Sequence, residues 1–217
     1  MDIRRRQIGP SYSFARAYEI LMPIVESAGF SKRRRELLGQ AQGRVIEIGA
    51  GTGLNLPFYS RDVDLVLAEP NPEMVEILRP KVKERGAVLL ESTVADVFSC
   101  DIEPRSFDFV VSTLVLCSVP DVRESLKTIA KLLAPGGRFL FIEHVVTPGG
   151  YEIVQRLANP IWKRLAGGCH LNRDILGDFD SSDMVVTDLL RFNFPLGRPL
   201  IPHGIMGIAR LKSDFFG

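Results

Sequence analysis

The chain has 217 residues, 46% of them hydrophobic and 24% charged, a mix that builds a packed globule and excludes a disordered or fibrous protein. Lys and Arg total 27 against 26 Asp and Glu, and a net charge of +1 is too even to supply the basic face that nucleic-acid binding requires. Cys100, Cys117 and Cys169 lie far apart without a C-x-x-C pair, so neither a disulfide framework nor a metal site is expected, and a reducing, cytoplasmic setting is.

Met1-Asp2-Ile3-Arg4-Arg5-Arg6 is followed by no apolar core of signal-peptide length, and no run approaches about 18 apolar residues, so no bilayer-spanning segment is expected. From Ser13 to Ala28 the residues Phe14, Ala17, Tyr18, Leu21 and Ile24/Val25 recur at helical spacing, which predicts an amphipathic helix ended by Gly29. Ser31 reads as the N-cap of a short basic helix, Lys32 to Leu38. Its charges, Lys32 to Arg35, are assigned with Arg4 to Arg6 to solvated faces, with at most a weak membrane-surface contact.

Apolar runs then follow at Val45–Ile48, Val63–Ala68, Val88–Val94, Phe107–Leu116, Arg138–Val146, Met184–Leu190 and Ile205–Leu211. Helix-period segments lie between several of them, including Pro72 to Arg85 and Asp121 to Leu133. The second opens with Asp121 and Glu124 at capping-box spacing and stops at Ala134-Pro135-Gly136-Gly137. This alternation predicts an α/β fold: a doubly wound seven-stranded sheet, mainly parallel with an antiparallel last strand, and helices on both faces. Residues 148–183 break the pattern with Pro148-Gly149-Gly150, a helix from Tyr151 to Leu165, Gly167-Gly168 and a polar stretch, as expected of an insertion over one end of the sheet.

The segment Val45-Ile46-Glu47-Ile48-Gly49-Ala50-Gly51-Thr52-Gly53-Leu54-Asn55 runs a strand into alternate glycines, a tight turn whose backbone can approach a ligand closely. A dinucleotide fingerprint needs glycine where Leu54 stands, and a phosphate-cradling loop needs a lysine that is absent. Glu69, about twenty residues after Gly49, ends the second apolar run where doubly wound sheets place a carboxylate for ribose hydroxyls. Glu47, where strand meets loop, is suited either to holding the loop through its backbone N–H groups or to attracting a cationic ligand.

Glu47-x-Gly49-x-Gly51-x-Gly53, Glu69, Ala95-Asp96, Phe107-Asp108-Phe109-Val110-Val111 and Leu133-Ala134-Pro135-Gly136-Gly137 together resemble the ordered motif set of class I S-adenosylmethionine-dependent methyltransferases. Thr113 to Val119, Glu143-His144-Val145 and Gly168-Cys169-His170-Leu171-Asn172-Arg173 are similar to the small methyltransferase-like group that includes thiol S-methyltransferases. The eukaryotic members of that group carry an N-terminal membrane anchor, for which this chain is expected to have no room. The resemblance implies one domain with a helical cap (1–42), a cofactor-binding core (43–146), a substrate-side insertion (147–183) and a closing hairpin (184–217).

It also implies that the methionine and ribose portions of S-adenosylmethionine lie over Gly49, Ala50, Gly51 and Gly53, with Glu69 on the ribose. Pro70, Asn71, Met74, Ala95 and Asp96 fall around the adenine, and Leu114 near the methionine chain. His144 is the titratable side chain at the ligand end of the sheet and the candidate catalytic residue. Tyr18, Trp162, His170, Asn172 and Arg173, with Tyr12, Phe14 and Leu165, are the candidate acceptor contacts, and their character favours a small lipophilic acceptor, a thiol first. The competing readings are a non-catalytic adenosine-ligand module and an NAD(P)-dependent oxidoreductase.

Overall fold

Alternation along the strands fixes two apolar layers. In the computed structural model, which describes residues 12–195 and 200–216, β1 (Arg44–Ile48), β4 (Phe107–Thr113) and β5 (Leu133–His144) send successive side chains to opposite faces. Ile46, Val110, Phe139 and Phe141 join one cluster with Leu126 and Ile129 of α4 (Val122–Leu132). Val45, Val111, Leu140 and Ile142 join the other, with Leu78 and Val82 of α3 (Pro72–Arg85) and Leu37 and Leu38 of α2 (Ser31–Leu38). Strands buried on both faces belong to a parallel sheet covered by helices.

With β2 (Asp64–Ala68), β3 (Val88–Leu90), β6 (Met184–Asn193) and β7 (His203–Leu211), the strand order is β3-β2-β1-β4-β5-β7-β6. The first five pair in parallel, and β7, the last strand in the chain, runs antiparallel to both β5 and β6. The order reverses between β1 and β4, so a crevice opens beyond the carboxyl ends of those two strands, where doubly wound sheets bind ligands. The insertion supplies α5 (Gly150–Leu165) and α6 (Ile175–Asp180), the latter inside the stretch read from sequence only as polar.

Several local expectations are corrected. β3 stops at Leu90 rather than Val94, because beyond it the chain turns out to the exposed Glu91, which pairs with Arg79. β4 ends at Thr113, because Leu114 takes a left-handed φ of 59°. Ala134 to Gly137 form an excursion inside β5, whose register with β4 shifts between Phe107 and Phe109. Ser31 does not cap a helix: a π-turn over Glu26–Phe30, with Gly29 at φ 113°, joins α1 (Tyr12–Val25) to α2, and the Ser31 hydroxyl donates to the Glu26 carbonyl.

Leu21 and Ile24 were placed by their spacing on the buried face of α1, but they are exposed together with Ile20, while Ala15 and Met22 are buried. This helix is apolar almost all round, so periodicity does not choose its inner face. On α5, Ile153, Leu157, Ile161 and Leu165 likewise face outward. No helix among the described residues is long and apolar enough to cross a membrane. Arg4, Arg5, Arg6 and residues 196–199 of the hairpin lie outside the described residues.

Phe141 stacks 5.6 Å from Phe139 and 5.1 Å from Phe179 and covers Gly207, where an added Cβ would sit 2.6 Å from its ring. Phe141→Ala is expected to destabilise the protein by about 3–5 kcal/mol, read as a lowered midpoint in urea with an unchanged slope.

Candidate active site

The glycine loop closes on itself by backbone geometry. Gly49 and Ala50 both donate to the Ala68 carbonyl at the end of β2, at 2.8 and 3.1 Å. Gly49, Gly51 and Gly53 all have positive φ, but their surroundings differ. A Cβ on Gly49 would lie 2.5 Å from Val115, and one on Gly53 2.8 Å from Leu78, whereas one on Gly51 meets nothing within 4 Å. Gly51 therefore keeps bare backbone on open space between the ends of β1 and β4, a cradle that a ligand can fill.

Glu47 holds this loop, through side chains rather than backbone N–H groups. Its buried carboxylate accepts from Asn55 Nδ2 at 2.9 Å and from the Tyr59 hydroxyl at 2.7 Å. Asn55 also donates to Thr113 Oγ1 and accepts from Arg34, whose Nε pairs with Glu26 at 2.9 Å. Arg34 was assigned to a solvated face, yet it is 2% exposed. A guanidinium is buried only where its fork finds acceptors, and the π-turn brings Glu26 to it. Tyr18 is half-buried beside the same guanidinium, and burial pushes its phenol up. Burial also raises the Glu47 carboxyl to about 7, its hydrogen bonds from Tyr59 and Asn55 only partly offsetting this.

Glu69 is buried at the mouth of β2. Its Oε2 accepts from Gly51 N at 2.8 Å and its Oε1 from Asn71 N at 2.8 Å. Those bonds use two of about four acceptor positions on the carboxylate, which leaves capacity for a pair of vicinal hydroxyls. Burial lifts its carboxyl above the ordinary range, and the two backbone N–H groups oppose the shift. Asn71 caps α3 by accepting from Glu73 N and Met74 N, and Met74 is buried behind it. Pro70 and Ala95 are exposed at the same rim. Asp96 is exposed as well, its carboxylate accepting from Thr93 Oγ1 at 2.8 Å. The glycine cradle, the spare acceptors of Glu69 and the exposed Asp96 carboxylate fit an adenosine-bearing cation.

The opposite wall is the loop after β4. Glu143, fully buried on β5, accepts from Val115 N and Leu116 N at 2.9 and 2.8 Å, from Cys117 N at 3.4 Å and from Ser112 Oγ. Arg173 donates to the Leu116 and Val119 carbonyls, both at 2.5 Å, and His170 donates its backbone N–H to Cys117 O at 2.8 Å. The two residues expected to touch the acceptor thus brace this loop. Asn172 is exposed, and Trp162 is half-buried, its indole N–H donating to Cys169 Sγ at 3.2 Å.

His144 is buried at the end of β5, with Nε2 2.9 Å from Cys169 Sγ. Burial pulls its imidazolium down, but the Cys117 thiol and the Glu143 carboxylate beside it win and raise its pKa above the ordinary value. Cys117, His144 and Cys169 bring their ligand-capable atoms within 4.8 Å of one another, all three buried. Cysteine spacing along the chain concealed this meeting. Arg34 and Glu143 were likewise not singled out for a role. The signal for Glu143 is an acid closing the apolar run Phe139-Leu140-Phe141-Ile142, which folds only if something satisfies the charge.

A methyltransferase domain family matches residues 25–174. Thiol S-methyltransferase TMT1B of Rattus norvegicus is 31% identical over 208 residues, covering 88% of this chain and 85% of the relative. TMT1B of Homo sapiens is 33% identical over 190 residues, covering 82% and 78%. The crystal structure of the Bacillus YcgJ protein superposes with a TM-score of 0.63 over 86% of this chain and 98% of that one, at 18% identity.

The Glu47 shift has a sign. A carboxyl whose folded-state pKa stands near 7 rather than 4.5 favours the fold fully only at low pH, and that contribution is lost as pH rises through about 7. The loss is on the order of 3 kcal/mol. Glu47→Gln keeps a neutral group there, so thermal melts from about pH 5 to about pH 8 are expected to show the wild-type protein losing stability relative to the variant.

Proposed function

The chain belongs to the S-adenosylmethionine-dependent methyltransferases, and on that premise we propose that it methylates a small lipophilic thiol in a reducing, cytoplasmic setting. Membership sets aside both the oxidoreductase and the non-catalytic reading. The observation that carries the thiol is that relatives named thiol S-methyltransferases are 31% and 33% identical over 88% and 82% of this chain. Three free cysteines fit the proposed location.

When bound, S-adenosylmethionine supplies a methyl group already activated by its sulfonium charge. The tasks left to the protein are to hold, orient and exclude water. In this reading Gly49, Ala50, Gly51 and Gly53 carry the donor's methionine and ribose portions and Glu69 accepts from the ribose hydroxyls. Pro70, Asn71, Met74, Ala95 and Asp96 surround the adenine, and Leu114, Tyr18 and Trp162 line the path of the methyl group. Glu47, near half-ionised at neutral pH, places negative charge under a cationic donor without a full buried anion when the site is empty.

A thiol suits such a site chemically. With an ordinary pKa of about 8.5, a few per cent is thiolate at neutral pH, so transfer to sulfur makes less demand on a general base than transfer to an alcohol or a protonated amine. His144 and Cys117 lie close to the acceptor side. Arg173 and His170 act as positioning residues, because their donors are spent on the loop carbonyls.

The test is a methyl-transfer assay with S-adenosylmethionine on a panel of alkyl and aryl thiols, phenols and amines. Turnover is expected on lipophilic thiols, with Glu69→Ala lowering kcat/KM for the donor about 100-fold through loss of two charge-assisted hydrogen bonds. Turnover confined to phenols or amines would reject the thiol.

A further inference from the structure

Cys117, His144 and Cys169 form a cluster that the methyl-transfer scheme above leaves unused. They come from three separate elements: the loop after β4, the end of β5 and the segment after α5. All three are buried, at 1%, 3% and 8% exposure, and their sulfur and nitrogen atoms lie within 4.8 Å of one another. The loop that carries Cys117 also carries Val115, which presses on Gly49 of the cofactor cradle. The cluster therefore sits beside the donor site, on the acceptor side.

We propose that Cys117, His144 and Cys169 hold a zinc ion whose fourth coordination position receives the acceptor thiol. The role of that fourth position rests on the thiol reading above. Two thiolates and an imidazole are a soft donor set that selects zinc over magnesium or calcium. Three protein ligands with one position left open are the arrangement of catalytic rather than structural zinc. Tetrahedral coordination at about 2.3 Å to sulfur and about 2.0 Å to nitrogen separates the ligand atoms by about 3.5–3.8 Å. The present contacts, 2.9 Å between His144 Nε2 and Cys169 Sγ and none of the set beyond 4.8 Å, bracket that spacing.

Three further observations point to a ligand. His144 Nδ1 is buried with no hydrogen-bond partner among the described residues, so neither ring nitrogen is committed to backbone and the ring can turn to ligate. Trp162 donates its indole N–H to Cys169 Sγ, the outer-shell contact that steadies a metal-bound thiolate. Arg173 donates to the carbonyls of Leu116 and Val119, which flank Cys117. Zinc with two thiolates and an imidazole is neutral, so the guanidinium balances the one negative charge that an incoming thiolate adds.

The chemistry balances. The acceptor thiol gives its proton to water as its sulfur becomes the fourth ligand. A sulfur lone pair then forms the new S–CH3 bond while the methyl–sulfonium bond breaks, its electron pair remaining on the departing thioether sulfur of S-adenosylhomocysteine. The methylated product is a neutral thioether, a weaker ligand than the thiolate, and leaves. No oxidant or reductant is needed.

The experiment loads the reduced, full-length protein with zinc or cobalt(II), removes free metal, and measures metal content and the visible spectrum before and after adding a thiol acceptor. About one metal per chain is expected, with tetrahedral cobalt bands and a thiolate charge-transfer band that shift when the thiol is added. Cys117→Ser, Cys169→Ser and His144→Gln should each lose the metal. Cys100→Ser should keep it, and Trp162→Phe should weaken it by about 10- to 100-fold. The wild-type spectrum tests the site even if a ligand variant fails to fold. Zinc retained by both cysteine variants, or a Cys117–Cys169 disulfide whose reduction yields no cobalt bands, would overturn the proposal. If chelated, metal-free protein methylates thiols as fast as the loaded protein, the zinc role falls and the thiol reading stands. If cobalt bands appear that no thiol shifts while amines or phenols are methylated, the thiol reading falls, and the acceptor role of the fourth position falls with it.

Discussion

One carboxylate makes the acceptor wall possible. The chain after β4 is irregular, yet it is largely buried, and buried backbone outside helices and strands must find partners for every N–H and C=O. Glu143 takes the N–H groups of residues 115, 116 and 117, while Arg173 and His170 take the carbonyls of 116, 117 and 119. An acid from β5 and two donors from the insertion thus do for this loop what a neighbouring strand does for a ladder. The arrangement also supports Leu114 in a left-handed conformation, which costs a leucine on the order of 1–3 kcal/mol and turns the chain out of β4 just where the crevice begins.

The facing wall is built on the opposite logic. Glycines leave backbone bare, and the fixing is delegated to a chain of side chains running Glu26, Arg34, Asn55, Glu47 and Tyr59. Each member is buried or nearly so and is hydrogen-bonded to the next, although Glu26 Oε2 and Arg34 Nη2 are buried without a partner among the described residues. One wall is therefore fastened to the end of the sheet and the insertion, the other to the N-terminal helices, and the two meet where Asn55 donates to Thr113 and Val115 packs on Gly49.

What was legible in the sequence follows from how local each signal is. Strands buried on both faces advertise themselves as apolar runs, and the glycine loop with Glu69 is a pattern of near neighbours. The inner face of α1 was not legible, because only Arg16 and Glu19 are charged and apolar side chains, Ile20, Leu21, Met22 and Ile24 among them, fall on several sides of the helix. Arg34 looked like its neighbours, the half-buried Arg33 and the exposed Arg35, since nothing within a turn of it announces that Glu26 and Asn55 converge there. Cys117, His144 and Cys169 are separated by 27 and 25 positions, and only the pairing of β4 with β5 and the return of the insertion bring them together. Long-range convergence of single residues leaves no period to read.

The buried Arg34 gives the N-terminal helices a double duty. They pack against α3, β5 and β7, and they also carry the cation that holds the amide of Asn55 and, through it, Glu47 beneath the glycine loop. The two helices are held differently: α1 buries Ala15 and Met22 but leaves Ile20, Leu21 and Ile24 exposed, whereas α2 buries Arg34, Leu37 and Leu38 against the core. A cap borrowed from another protein, lacking a guanidinium at that spot, would leave Asn55 short of a partner and loosen the glycine loop that Asn55 and Glu47 hold.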